Sequence, residues 1–220
     1  MTQNKWDNII PLEWMWSEFN RLLKPNGVIV LHAMEMFSAL LMSTNPKQYK
    51  FKWYWQKDRG TGHLNAKKMP LRDIEEILIF SPAKLGNFTY NPQMTEGEPC
   101  HSVGKAKGKS QREHSRNNNY GEFTKVETEG NMKYPKTLLY FPRDKEKLHE
   151  TQKPLALAEY MISTYTNEGD IVLDITSGVC TSGLAAERLN RKWINIELDK
   201  DENGNCLGFC EKAVGRFKSE

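Results

Sequence analysis

No apolar run in the 220 residues approaches the roughly 18 that a membrane-spanning helix needs, so no membrane partner is expected. Cysteine is scarce. Cys100, Cys180, Cys206 and Cys210 show no CxxC spacing and follow no signal-like N-terminus, which argues against a disulfide framework or a cysteine-built metal site and fits a reduced, cytoplasmic setting. Net charge is also small. Lysine plus arginine number 31 against 28 for aspartate plus glutamate, so the total says little about partners until the charges are located. The length suits one domain, 1–220, with a sizeable core and room for a long insertion.

What is present reads as alternating helices and strands. Leu12, Met15, Trp16, Phe19, Leu22 and Leu23 recur at helical spacing between Pro11 and Asn26-Gly27, predicting an amphipathic helix. VIVLHA, residues 28–33, is short and β-branched and predicts a buried strand; 34–44 return to a helical pattern. FKWYWQK and EEILIFS read as further strands, separated by a loop containing Gly60 and Gly62. The fold class is α/β.

Between Ser81 and Leu148 the periodicity fades. Residues 104–119, GKAKGKSQREHSRNNN, set Lys105, Lys107, Lys109, Arg112 and Arg116 against one acid, Glu113. Composition leaves two readings open: a solvated surface loop, or a nucleic-acid contact in which the cations neutralise phosphates. YPKTLLYF, residues 134–141, reads as a strand returning to the core, which makes the basic stretch an insertion.

From Pro154 to Tyr165 the spacing of Leu155, Leu157, Ala158, Met161 and Ile162 predicts a helix. After it come the strand IVLD, a turn at 175–181, a helix through Asn190 and the strand WINIELD. Two strands joined by such a helix form a βαβ unit with parallel strands and a ligand site at their carboxyl ends. Asp174 and Glu197 stand at those ends, and Glu197 suits a ribose acceptor. With only Gly178 in the turn, these acids are equally explained as a helix cap and a strand-end residue.

HETQKPLALAEYMISTYTNEGDIVLDITSGVCTSGLAAERLNRKWINIELD, residues 149–199, resembles the tail half of the β-type, circularly permuted DNA amino-methyltransferases. The family's His-Pro-Thr-Gln-Lys-Pro segment is matched by His149, Thr151, Gln152, Lys153 and Pro154, with Glu150 departing. KDRGTGHLNAKKMPLRDIEEILIF and NKWDNIIPLEWMWSEFNRLLKPNGVIVLHA are similar to segments of its adenine-specific phage and bacterial members. The resemblance implies a Rossmann-like methyltransferase sheet with helices on both faces, incomplete at the N-terminus, and a loop-rich target-recognition insertion at 82–148. It implies methyl transfer from S-adenosylmethionine to an exocyclic base nitrogen, N6 of adenine by preference, after the base is flipped from double-stranded DNA. By position, Asp174, Thr176 and Thr181 belong to the cofactor loop, Gly178 lets the ligand approach the backbone, and Glu197 accepts from the ribose. His149, Thr151, Gln152 and Lys153 line the methionine side, while Lys105, Lys107, Lys109, Arg112 and Arg116 contact DNA. The cell is then bacterial or phage-infected.

Two departures matter. Cys180 replaces the loop's second glycine; at positive φ its Cβ would cost about 1 kcal/mol or more and weaken binding, whereas at ordinary helical φ it would be tolerated. The family's Asp-Pro-Pro-Tyr segment, or a close variant, occurs nowhere in the 220 residues, so no residue is assigned the catalytic role. Its strand normally lies beside the cofactor strand, and without it a sheet edge bearing apolar surface is expected. The leading expectation is a methyltransferase impaired as a stand-alone chain, either a remnant or one piece of a split enzyme completed by a second polypeptide. The alternatives are a non-catalytic DNA-binding module and a natural chain that starts further upstream.

Overall fold

A computed structural model of the chain describes residues 9–97, 131–200 and 203–218. Its elements are α1 (Leu12–Leu22), β1 (Ile29–Ala33), α2 (Glu35–Thr44), β2 (Tyr49–Thr61), β3 (Arg72–Phe80), β4 (Thr95–Glu96), β5 (Met132–Lys133), β6 (Leu138–Tyr140), α3 (Leu155–Tyr165), β7 (Ile171–Asp174), α4 (Thr181–Arg188), β8 (Lys192–Asn195) and α5 (Phe209–Lys218). The chain divides into two compact units, Met1–Asn91 with Lys136–Glu220, and Pro92–Pro135. In the second unit β4 and β5 pair antiparallel, Thr95 opposite Lys133 and Glu96 opposite Met132. Lys105, Lys107, Lys109, Arg112 and Arg116 lie outside the described residues.

The first unit is built on a four-stranded sheet of order β1-β3-β2-β6. Its centre is β3, where ILIF places a large apolar side chain on each face in turn. Ile77 and Ile79 pack with Trp53, Trp55, Leu157, Met161 and Tyr165 on the α3 side. Leu78 and Phe80 pack with Met15, Trp16 and Leu41 on the α1–α2 side. All four β3 residues are fully buried, as a strand covered on both faces requires. The buried aromatics satisfy their polar ends: Trp53 Nε1 donates to the Tyr165 hydroxyl at 2.6 Å and Trp55 Nε1 to the Phe141 carbonyl at 2.8 Å. The sheet takes in more sequence than the periodicity suggests, because β2 runs on through Gly60 to Thr61, which pairs with Arg72.

β7 and β8 form a separate, parallel two-stranded sheet, with Asp174 opposite Asn195. The βαβ unit is therefore present, with β8 ending at Asn195 rather than at Asp199. One face of this pair packs Val172 and Trp193 against Ile162, Ala185 and Ala186. The other carries Ile171, Leu173, Ile194 and Ile196, each exposed. Among the described residues β1 pairs only with β3 and β7 only with β8, so each presents an open hydrogen-bonding edge.

Strand directions place the site. β1 and β2 both run antiparallel to β3, and β6 runs parallel to β2, so these three share a carboxyl edge. Lys24, ahead of β1, pairs with Asp170, ahead of β7, at 2.6 Å. The two strands thus start on the same side, and Asp174 stands on the same carboxyl edge as Ala33. Among the described residues no helix is long and apolar enough to cross a membrane.

Candidate cofactor site

The turn between β7 and α4 is held by its own polar groups. Asp174 accepts the Thr176 N–H at 3.0 Å through one carboxylate oxygen and the Ser182 hydroxyl at 2.6 Å through the other. It thereby ties the strand end to the first turn of the helix. The Ser177 N–H donates to the Ile196 carbonyl at 3.0 Å, zipping the turn onto the chain beyond β8. Gly178 has φ +53° and Cys180 φ +60°. Gly178 adopts the left-handed region freely; Cys180 does so at a cost of about 1–2 kcal/mol.

Cys180 therefore has the strained backbone and not the ordinary helical φ, yet its side chain is kept away from the crevice. It is 5 % exposed, and a Cβ built on Gly183 would lie 2.5 Å from its Sγ. The sulfur rests on the bare face of Gly183, inside the helix turn. Burial pushes the Cys180 thiol above its usual range, so it is neither a thiolate nor a ready nucleophile.

Across the turn, the Glu197 carboxylate accepts the Gly178 N–H at 2.6 Å. The His149 ring lies over Gly178, 3.8 Å from where a Cβ would stand. It meets the Phe209 ring edge-on, with centroids 4.4 Å apart. His149 Nδ1 accepts the Thr151 N–H at 3.2 Å, which leaves the proton of the neutral ring on Nε2. Burial lowers the His149 pKa, against the opposing pull of Glu197 and Glu150. His149, Asp174, Thr176, Gly178 and Glu197 thus gather about the turn at the carboxyl ends of β7 and β8, with Thr151 held against the His149 ring.

Three other sequence-derived candidates are engaged elsewhere. Gln152 accepts the Leu148 N–H at 3.0 Å and donates to Asp144 at 3.0 Å, while Asp144 accepts the Leu155 N–H at the start of α3. The segment leading into α3 is braced on itself in this way. Lys153 pairs with Glu75 at 2.7 Å, and the other Glu75 oxygen pairs with Lys57 at 2.6 Å. Both ammonium groups lie over the Trp55 ring, at 5.6 and 5.5 Å. Burial would raise the Glu75 pKa, but Lys153 and Lys57 outweigh it and hold the carboxylate down at about 2. Thr181 accepts from Arg216 of α5 at 2.9 Å, and Arg216 also donates to the Val179 carbonyl at 2.8 Å. It clamps the turn from below.

Sequence reasoning missed Phe209, Glu75 and His32. Nothing local marks Phe209, which reaches the site because Asp199 caps α5, accepting the Phe209 N–H at 2.7 Å. Glu75 stands next to a second acid, Glu76, and nothing local separates the two. His32 sits on β1 facing the Lys153–Glu75 pair; its Nδ1 is buried and has no hydrogen-bond partner among the described residues. Burial, reinforced by Lys153, depresses its pKa to about 3.

A sequence model of the N6/N4 DNA methylase family matches residues 2–203. The chain belongs to that family. The chain is 30 % identical over 216 residues to the Type II methyltransferase M.HpaI of Haemophilus parainfluenzae, covering 94 % of the chain but 58 % of M.HpaI. It is 40 % identical over 75 residues to the DNA adenine methyltransferase YhdJ of Escherichia coli K12, covering 32 % of the chain and 26 % of YhdJ. It therefore spans little more than half of M.HpaI and a smaller share of YhdJ. Among solved structures, the M1.HpyAVI–SAM complex superposes with a TM-score of 0.60 at 24 % identity, covering 96 % of the chain and 83 % of that protein. PvuII DNA methyltransferase, described as cytosine-N4-specific, superposes at 0.56 with 18 % identity, covering 95 % and 77 %. Both share the Rossmann-like fold.

Proposed function

We propose that this DNA methylase binds S-adenosylmethionine in the crevice between the 174–182 turn, Glu197 and His149, and serves methyl transfer to an amino group of a base flipped from duplex DNA. The observation that carries the reading is the convergence of the left-handed Gly178 turn, the Glu197 carboxylate, the His149 ring and Phe209. The fit is chemical: a backbone without side-chain bulk, a carboxylate beside it, and an aromatic wall. Glu197 would accept from the ribose hydroxyls, Gly178 would let the cofactor approach the main chain, and His149 with Thr151 would flank the methionine portion. The cofactor would supply an activated methyl group. The chain's own residues bind and orient, and the Lys153–Glu75–Lys57 cluster anchors the segment that carries His149. Adenine N6 is the preferred target, supported by the adenine specificity in the name of YhdJ.

The acid-and-proline segment that receives the target amino group in the family is not among the 220 residues. Under this proposal the chain alone transfers methyl groups poorly, and a polypeptide carrying that segment, inserted as a strand along the open edges of β1 and β7, restores turnover. The insertion 82–148, with Lys105, Lys107, Lys109, Arg112 and Arg116, reads the target DNA. The test is titration with S-adenosylmethionine by calorimetry, followed by transfer of labelled methyl to unmethylated duplex with and without the added segment. Binding with restored transfer is expected. No heat of binding and no rise in Tm with cofactor would instead favour a DNA-binding module without chemistry; robust turnover by the chain alone would overturn the impairment.

A further inference from the structure

The hairpin joining β2 to β3 overhangs the carboxyl edge. β1 ends at Ala33, opposite Glu76, and β6 ends at Tyr140, opposite Gln56, while β3 begins four residues earlier, at Arg72. At about 3.3 Å per residue the hairpin projects roughly 13 Å past the end of β1 before its tip, 62–71, begins. The tip is folded rather than slack. Gly62 turns with φ +93°; the Asn65 N–H donates to the Gly62 carbonyl at 2.9 Å, and the Lys68 and Met69 N–H groups donate to the Asn65 carbonyl at 2.8 and 3.0 Å. Below it Gly60 is packed so closely that a Cβ there would stand 2.7 Å from Leu71 Cβ.

Its chemistry is one-sided. From Arg59 to Arg72 the sequence carries Arg59, His63, Lys67, Lys68 and Arg72 and no acid. Asp58 and Glu35 stand nearby, 3.7 Å from Arg59 and 3.8 Å from Arg72; Lys67 and Lys68 are exposed and make no ion pair among the described residues. At the apex Leu64 is 102 % exposed, flanked by exposed Met69 and Leu71. A rigid projection with an apolar apex and unpaired cations, standing over the edge where the cofactor crevice opens, has the form of a wedge that enters a nucleic-acid groove while its lysines hold the phosphates.

Resting on the DNA-methyltransferase reading, we propose that the 59–72 hairpin is a duplex-contacting finger, with Lys67 and Lys68 on phosphates and Leu64 against the bases or sugars. This surface lies outside the 82–148 insertion and would position the duplex over the cofactor crevice.

The test is the affinity of the full chain for an unmethylated duplex by fluorescence anisotropy across a salt series. Lys67→Gln with Lys68→Gln should flatten the slope of log affinity against log salt by about 1.8, two phosphate contacts fewer. Leu64→Ala should weaken binding about tenfold and leave the slope unchanged, because it removes apolar contact and no charge. Affinity for S-adenosylmethionine should be unaltered in both. Duplex affinity and slope unchanged by these substitutions, with the chain still binding DNA, overturn the finger alone. Failure of the unaltered chain to bind any duplex overturns the finger and the reading it rests on. Equal loss of cofactor affinity overturns it as a separate surface. Loss of binding to anionic phospholipid vesicles with duplex binding intact overturns it in favour of a membrane-facing role.

Discussion

The main-chain N–H of Gly178 donates to the Glu197 carboxylate at 2.6 Å across 19 residues of sequence. The other Glu197 oxygen accepts the Leu198 N–H at 3.1 Å, so one side chain holds the turn, and under the proposal its remaining lone pairs accept from the ribose. Glu197→Ala removes both. Hydrogen bonds to charged groups are worth about 1.5–3 kcal/mol, so affinity for S-adenosylmethionine should fall roughly 10- to 100-fold by calorimetry. Glu197→Gln, which keeps an acceptor for Gly178, should lose less. Equal affinities for all three proteins would remove Glu197 from the site.

Cys180 and Gly183 act as a pair. Gly183→Ala drives a methyl into the Cys180 sulfur, 2.5 Å away, and should destabilise the chain by about 1–3 kcal/mol in urea unfolding. Cys180→Gly alone relieves about 1–2 kcal/mol of left-handed strain but loosens the unfolded chain and empties a buried position, so its net effect should be small. Combined, the two should be more stable than their separate effects predict by about 1 kcal/mol. Recovery will be incomplete, because the added Cβ also meets Asn195 at 3.0 Å and Trp193 at 3.2 Å. Additive effects in the cycle would show that the sulfur does not rest on Gly183. With the sulfur directed there, Cys180→Gly should change cofactor affinity less than about threefold.

Acid should unfold the protein in two stages. His32 is held neutral in the fold, with its pKa depressed from 6.5 to about 3. The unfolded chain takes up that proton first, so stability falls as pH drops below 6.5, at about 1.4 kcal/mol per unit. Glu75 has its pKa lowered from 4.5 to about 2. Its contribution, on the order of 3 kcal/mol, is present above pH 4.5 and is lost between 4.5 and 2. His32→Phe should flatten the stability profile between pH 6.5 and 4.5, and Glu75→Gln should flatten it only below 4.5. A profile in His32→Phe identical to that of the unaltered chain between pH 7.5 and 5.5 would rule out the His32 imidazole as the cause.

What the sequence made legible was whatever rests on neighbours along the chain. The apolar spacing of Leu12 to Leu23 and of Leu155 to Ile162 marks α1 and α3 within a residue or two. IVLD and WINIELD mark two parallel strands. Asp174, Gly178 and Glu197 fall at or near strand ends and in the turn between, a placement that a helix cap and a strand-end residue explain equally well; the family resemblance is what singles them out. The partners that decide the rest lie far off. Lys153 reads as a cofactor-lining lysine, yet its counter-ion Glu75 is 78 residues away, and Thr181 reads as a loop residue until Arg216, 35 residues on, reaches it. The left-handed φ of Cys180 is invisible in composition, since it belongs to a turn closed by the Cys180 N–H on the Ser177 carbonyl and by the Ser177 N–H on the distant Ile196 carbonyl. The division of the first unit's strands into two sheets follows from pairing, which no single strand encodes.

Adjacent residues of β7 should respond oppositely to truncation. Val172 packs against α3 and α4, whereas Leu173 is on the open face with Ile171, Ile194 and Ile196. Val172→Ala should cost about 1 kcal/mol, while Leu173→Ala should stay within about 0.5 kcal/mol. The same face should bind a hydrophobic dye, and Leu173→Lys with Ile194→Glu should abolish that fluorescence without lowering Tm by more than a few degrees, because both side chains already stand in solvent. If a separately supplied strand docks along β7 as proposed, it will cover this face and quench the dye in the unaltered chain, and the charged double variant will no longer respond to it. A large loss of stability on Leu173→Ala would mean that chain outside the described residues already occupies the face.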